Sequence, residues 1–515
     1  WANEGGDKVP RGELRGGRSV TSRAFDGVAI HLMGARNETV SAQLILEAAT
    51  TTARDLTVHF DRLDGPGGAI VSRAAAPGGD LFNWVGRPIE VFVVRYLPIR
   101  GLSRLTWGDY DERHVPARFR RPHDAQGRAK GGWKDRPDAD ALYPDIAVPA
   151  ELAMPFEVPA GLSQAIWVDV YIPKDTAPGV YTGAIEVKEA GKITWRVPLD
   201  LRVRGFSLPD VPTAKTMLQL GYADINERYL GKRFPDQGEA LAEGSLRIRD
   251  RHFQLAHSHR VSVIDSNYGP EVWDKDEPRP GWKARLDGSL FRPDRGYDGT
   301  GVGVGNGIFS IGTYGQWSWK DQGESGMHQH LDTWARWFEQ NAPGTELLLY
   351  LIDESDDFER IERWSKWVVS NKGPGRSVRS FATLGAPWAV KSTPSLDIAC
   401  STLKVGQKTR WERAVAALTT DPRKRFHLYN GARPGTGSLA LEDEGTALRM
   451  WGWTQFKTGA DRWFVWESTY YNDFQGGHGQ TNVFQSAHTF GGKSESPSPE
   501  LGETGWNYTN GDGVL

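Results

Sequence analysis

The stretch Glu346 to Asp357, ELLLYLIDESDD, sets the reading of this chain: an apolar run ends in two adjacent carboxylates, Asp353 and Glu354. A short apolar run bounded by turn signals predicts a strand buried on both faces, as in a parallel sheet. Acidic residues just beyond the C-terminal end of such a strand lie where α/β barrels carry their chemistry. If the strand continues through the pair, the two side chains point in opposite directions, which fits two separate roles better than one shared proton. The plainer reading is helix capping: Asp353, Glu354 or Ser355 could cap a helix predicted over Asp356–Asn371, whose first turn is acid-rich.

Working outward, seven more segments resemble this one. Strands are predicted at Thr216–Gly221, Arg260–Asp265, Ile308–Tyr314, Val378–Leu384, Asp397–Leu403, Phe426–Asn430 and Arg462–Ser468. Helical periodicity falls between them at Glu239–Ala256, Met327–Asn341, Lys408–Ala417 and Asp443–Phe456. Eight strands with intervening helices predict a (β/α)₈ TIM-type barrel over residues 213–515. After the eighth strand, Tyr470–Leu515 is rich in Gly, Ser and Asn with no clear final helix. Either the barrel closes atypically or its C-terminal end is cut short, and Gly511–Leu515 reads as the start of another strand.

The first 206 residues have a different rhythm. Glu38–Ala48, Ile89–Tyr96, Gln164–Ile172, Val180–Val187 and Thr194–Val203 alternate or are rich in β-branched residues, with Gly/Pro/Asp turns between them. Strands without helices predict an antiparallel β-sandwich. A long loop, Arg118–Pro149, interrupts them, and Ser207–Pro212, stiffened by two prolines, reads as the linker.

Composition excludes several classes. The net charge is −3 with no long basic block, which argues against nucleic acid and anionic membranes. No run of 18 apolar residues exists, so no membrane span is predicted. The single cysteine, Cys400, sits in an apolar segment and reads as an inert buried thiol. The 21 tryptophans fit either sugar-binding surfaces or large cores. The chain opens at Trp1 and shows no signal peptide that would settle its compartment, for which secretion or the periplasm is the expectation.

On a barrel, the loops after each strand share one rim. The candidates there are Tyr222, Asp224 and Asn226 after the first strand; Asp265, Asn267 and Tyr268 after the second; and Tyr314, Trp317 and Trp319 after the third. Asp353 and Glu354 follow the fourth, Trp388 the fifth, Tyr429 and Asn430 the seventh, and Trp466, Glu467, Tyr470 and Tyr471 the eighth. His328 and His330, two apart, fall on different sides of a helix and lack a third ligand, so no metal is expected. No phosphate loop or nucleophile elbow is present, and Gly301–Gly305 lacks the spacing and the helix of a dinucleotide loop. No cofactor is expected. Carboxylates and aromatics without these signals are what glycosidic bond cleavage uses: an acid for the leaving oxygen, a stabiliser for the oxocarbenium-like centre and flat rings for the sugar.

Several motifs carry a resemblance across nearly the whole chain. They are Tyr143-Pro-Asp-Ile-Ala-Val-Pro149, Ala177-Pro-Gly-Val-Tyr-Thr-Gly183, Phe206-Ser-Leu-Pro209, the Asp353–Glu354 pair and Trp451–Tyr471. Together they resemble glycoside hydrolase family 123 and its wider relatives, which join an N-terminal β-sandwich to a (β/α)₈ barrel. The resemblance implies a retaining, exo-acting N-acetylhexosaminidase, β-N-acetylgalactosaminidase-like, that uses the substrate's own 2-acetamido oxygen as nucleophile. It gives Glu354 the role of general acid/base and Asp353 that of orienting the acetamido group, with a glycan as substrate. The chain departs from the pattern at Ser355, where proline often follows the pair. Two alternatives stay open: double displacement with Glu467 as nucleophile, and a carbohydrate-binding protein without catalysis.

Overall fold

The computed structural model describes residues 1–99 except 77, 141–235, 240–266, 273–403, 408–431 and 445–466, with a few isolated positions and two-residue bridges between and beyond them. The N-terminal part is a two-sheet sandwich. One sheet is antiparallel throughout, in the order Ala2–Asn3, Glu38–Ala48, Leu162–Ile172, Ile89–Ile99, Ala141–Pro149. The second runs Ile30–Arg36, Lys192–Ser207, Gly179–Glu189, Ala53–His59, Phe156–Val158. Period-two alternation explains the packing: Ile166, Val168, Val170 and Ile172 are fully buried between the sheets, while Trp167, Asp169 and Tyr171 face outward.

Two expectations need correcting here. The sandwich is not purely antiparallel, because Lys192–Ser207 pairs with Ile30–Arg36 in parallel. The stretch expected as one loop over 118–149 ends in a strand, Ala141–Pro149, paired with Ile89–Ile99; residues 118–140 lie outside the described residues.

Beyond the linker, all eight expected barrel strands are present: Lys215–Gly221, Val263–Ser266, Ile308–Ile311, Glu346–Ile352, Arg379–Thr383, Ile398–Ser401, Arg425–Tyr429 and Arg462–Val465. They form one parallel sheet in the order second, first, eighth, seventh, sixth, fifth, fourth, third. The helices Ala240–Ser258, Gly323–Asn341, Phe358–Ser370, Lys408–Thr420 and Gly445–Thr458 match the predicted ones to within a few residues. A helix at Tyr222–Leu230, with Asp224 buried inside it, was not expected. The terminal segment Gly511–Leu515 lies outside the described residues.

The barrel is nearly closed. Among the described residues, no ladder joins the second and third strands. A side chain takes the ladder's place at their lower ends: buried Asn306 accepts from Val263 N–H (3.1 Å) and donates to Val263 O (2.8 Å) and Ile308 O (2.7 Å). On the eighth strand, buried Arg462 donates to Thr216 O (2.6 Å) and Glu346 Oε2 (2.8 Å), tying the first, fourth and eighth strands. Above this floor the interior is filled by Met217, Ile264, Ile308, Leu348, Tyr350, Phe381, Ile398, Cys400, Tyr429 and Phe464. The barrel is therefore a packed core whose open space lies at the rim.

Truncating Asn306 leaves three buried backbone groups at the seam without partners. Asn306→Ala is expected to lower the unfolding free energy by about 2–4 kcal/mol, read as a lower urea midpoint for the barrel transition. An unchanged midpoint contradicts a closing role for this side chain.

Candidate active site

The fourth strand shows why the acids sit where they do. Leu347, Leu349 and Leu351 pack outward against the helices, whereas Leu348 and Tyr350 face the barrel interior. Strict alternation would then send Asp353 outward. Instead the register against the fifth strand slips by one: Tyr350 pairs with Phe381 but Ile352 with Ala382, leaving Leu351 as an extra residue. Bulges of this kind re-aim side chains beside active sites. The bulged carbonyl does not go unpaired, because Trp317 Nε1 donates to Leu351 O at 3.0 Å. Gly315, at φ 75°, lies so close to that carbonyl that a Cβ there would stand 3.1 Å from it.

The strand ends at Ile352, so the premise that the pair lies on a strand is corrected: Asp353 and Glu354 occupy the bend that follows. Asp353 Oδ1 accepts two hydroxyl bonds, from Tyr350 (2.7 Å) and from Thr383 Oγ1 (2.5 Å). The backbone N–H of Glu354 donates to the same Thr383 oxygen at 2.7 Å. Glu354 has φ 42°, a left-handed conformation that costs a non-glycine residue about 1–2 kcal/mol. Glu354 as a whole residue is exposed at the rim, while its carboxyl is partly covered. Partial burial of the carboxyl, and then the negative charge of Asp353, push its pKa above the usual carboxylate range.

Helix capping does not account for the pair. The helix Phe358–Ser370 is capped by Asp357, whose carboxylate accepts from Arg360 N–H at 3.0 Å, and Ser355 Oγ accepts from Asp357 N–H at 3.1 Å. Neither Asp353 nor Glu354 takes part.

Of the other expected rim residues, Tyr314, Tyr429 and Trp466 gather around the barrel interior below the acids. Tyr314 packs 5.5 Å from Tyr350, in a left-handed backbone (φ 60°), and Tyr429 stacks on Phe464. Asn430 is also left-handed (φ 48°), and its Oδ1 accepts from Trp466 N–H at 2.8 Å, joining the ends of the seventh and eighth strands. Three non-glycine residues in this conformation thus stand at strand ends on one rim. Trp388, on the short helix Ala386–Lys391, is 39% exposed and stacks on Phe358, with the Arg410 guanidinium 5.4 Å from its ring.

Asp265 is placed differently. It is buried among guanidiniums, 3.2 Å from Arg249 and 3.5 Å from Arg285, and Arg285 in turn pairs with Asp250 at 2.8 Å. Burial pushes its carboxyl up while the two arginines pull it back down. Asn267, Glu467, Tyr470 and Tyr471 lie outside the described residues. Tyr350 and Thr383 were not anticipated. A signal existed for Tyr350, since a tyrosine in a strand buried on both faces needs a partner for its hydroxyl.

His328 and His330 do not converge: His328 Nε2 lies 2.7 Å from Trp367 O, and His330 Nδ1 lies 2.8 Å from Asp276. Among the described residues, Glu346, His427 and Asp461 do come together at the barrel floor. Arg462 and Lys215 already neutralise those carboxylates, which makes the cluster a poor cation trap. Cys400 is buried in the interior, its thiol pushed up by burial and by Asp353, as expected for an inert group.

Residues 123–189 match a family model described as the glycoside hydrolase 123 N-terminal domain. Among solved structures, a family 123 glycoside hydrolase from Clostridium perfringens shares the fold at a TM-score of 0.58 and 10% identity, covering 95% of this chain and 78% of that one. A putative β-galactosidase from Bacteroides fragilis aligns at a TM-score of 0.26 with 10% identity, over 84% of this chain and 52% of its own. No curated protein sequence matches the chain. The expected likeness to family 123 therefore stands, by sequence in one N-terminal segment and by fold across nearly the whole chain.

Because Asp353 bears a charge that disfavours ionising Glu354, Asp353→Asn is expected to lower the Glu354 pKa. The alkaline limb of any activity that needs a protonated Glu354 then moves to lower pH. Carboxyl ¹³C titration, with Glu354 assigned by its loss in Glu354→Gln, measures this directly; an unmoved Glu354 titration contradicts the coupling.

Proposed function

We propose that the protein is a retaining, exo-acting glycoside hydrolase, an N-acetylhexosaminidase of the β-N-acetylgalactosaminidase type working by substrate assistance. The observation that carries this reading is the asymmetry of the pair. Asp353 is anchored through one oxygen that accepts from two hydroxyl donors. Glu354 is held where burial and a neighbouring negative charge help it keep a proton. One acceptor and one acid on adjacent residues is the division of labour that substrate assistance needs.

In the proposed sequence, Asp353 accepts a hydrogen bond from the N–H of the 2-acetamido group and orients its carbonyl oxygen toward the anomeric carbon. That oxygen forms the new C–O bond as the glycosidic C–O bond breaks, and Glu354 gives its proton to the departing oxygen. The resulting oxazolinium ring is opened by water, whose proton returns to Glu354, so configuration at the anomeric carbon is retained. Tyr314, Tyr429, Trp388 and Trp466 are the proposed aromatic contacts for the sugar ring. The Clostridium perfringens enzyme is described in the context of glycolipid glycan hydrolysis. A glycan ending in a 2-acetamido sugar is the proposed substrate class here.

A chromogenic β-glycoside panel with and without 2-acetamido groups tests the reading. Turnover is expected on 2-acetamido sugars, falling about 10²–10⁴-fold in Glu354→Gln on substrates with poor leaving groups. Turnover confined to sugars lacking the acetamido group contradicts substrate assistance and favours double displacement, for which Glu467 is the candidate nucleophile. Binding without hydrolysis of any member points to the non-catalytic alternative.

A further inference from the structure

We infer that Thr383 is a positioning residue whose single hydroxyl sets both acids, fixing the Asp353 carboxylate and the backbone of Glu354 at once. The inference rests on the proposed roles of the pair and adds the group that keeps those roles apart.

Thr383 is the last residue of the fifth barrel strand and is 2% exposed. Its hydroxyl carries one proton and two lone pairs. The Glu354 N–H can only donate, so at 2.7 Å the Thr383 oxygen must accept there. Its one proton then goes to Asp353 Oδ1 at 2.5 Å, a direction that requires Asp353 to accept. Tyr350 adds a second hydroxyl to the same Oδ1. With two donors on Oδ1, and no bond to Oδ2 among the described residues, the carboxylate is held against rotation and Oδ2 is left for a substrate group. The same oxygen holds the first N–H after Asp353, at the point where Glu354 takes up its left-handed conformation. A β-branched residue suits this double task, because its χ1 is stiffer than that of serine.

The ionisable groups around Asp353 are Glu354 on the bend and Tyr350 on its own strand, with Cys400 facing it from the sixth strand. Tyr314 and Tyr429 flank the Tyr350 hydroxyl from the third and seventh. None of these carries a positive charge, so the two hydroxyls are the groups that orient the Asp353 carboxylate.

The test compares Thr383→Val, Thr383→Ser and Tyr350→Phe in the full chain, on a 2-acetamido glycoside with a poor leaving group. Thr383→Val is expected to lower kcat by about 10–100-fold, with KM changed by less than about threefold. Thr383→Ser is expected to keep most of the rate. Tyr350→Phe removes only the other donor to Oδ1 and is expected to lower kcat likewise with KM little changed, which carries the test if Thr383→Val fails to fold. A wild-type kcat in Thr383→Val and Tyr350→Phe overturns the inference, as does an equal loss of rate in Thr383→Val and Thr383→Ser. Glu354→Gln run alongside separates the two levels. If it keeps the wild-type rate, the reading of the pair itself fails; if it alone is impaired, only the role of Thr383 does.

Discussion

In the fourth barrel strand, side chains alternate between the helix layer and the barrel interior until Leu351, where one extra residue breaks the count. Everything distinctive about the rim follows from that slip. It turns Asp353 inward to the hydroxyls of Tyr350 and Thr383, and it ends the strand so that Glu354 swings out in a left-handed bend. It also frees a carbonyl that the indole of Trp317 must satisfy, which fastens the loop after the third strand to the strand bearing the acids. Without the bulge, the same sequence would place a carboxylate among Leu347, Leu349 and Leu351 in the apolar layer, where an unpaired charge is strongly disfavoured.

The two ends of the barrel divide stability from chemistry. At the floor, buried Arg462 and His427 with half-buried Glu346, Asp461 and Lys215 form a charge-balanced layer that ties distant strands, and Asn306 bridges the seam between the second and third strands. At the rim, Tyr314, Glu354 and Asn430 sit in strained backbone, and an acid is held beside a negative charge. Strain of this kind persists only where the surroundings over-determine it. The rigid floor and packed interior supply that support.

Much of the architecture was legible in the sequence, because its causes are local. Apolar runs of four to seven residues between turn signals marked all eight barrel strands, and the 3.6-residue period marked the main helices. Asp353 and Glu354 were legible because they end the strongest of those runs. What could not be read depends on side-chain direction and on partners far along the chain. The bulge at Leu351 exists only in register against the fifth strand, and Thr383 is 30 residues from the carboxylate it holds. The left-handed bend falls on a glutamate rather than a glycine, so composition gave no sign of it. Asp265 read as a rim acid like the others, but its side chain turns to Arg249 and Arg285, residues that the sequence gives no reason to place beside it.

The central claim is that Asp353 holds a substrate acetamido group for attack on its own anomeric carbon. A thiazoline analogue of the oxazoline intermediate tests this most directly, because it mimics a species that forms only by that route. The account predicts strong competitive inhibition of the wild-type protein, weakened by at least about tenfold, or about 1.4 kcal/mol, in Asp353→Asn. A thiazoline that fails to inhibit a protein turning over 2-acetamido glycosides, or that inhibits Asp353→Asn equally well, contradicts it.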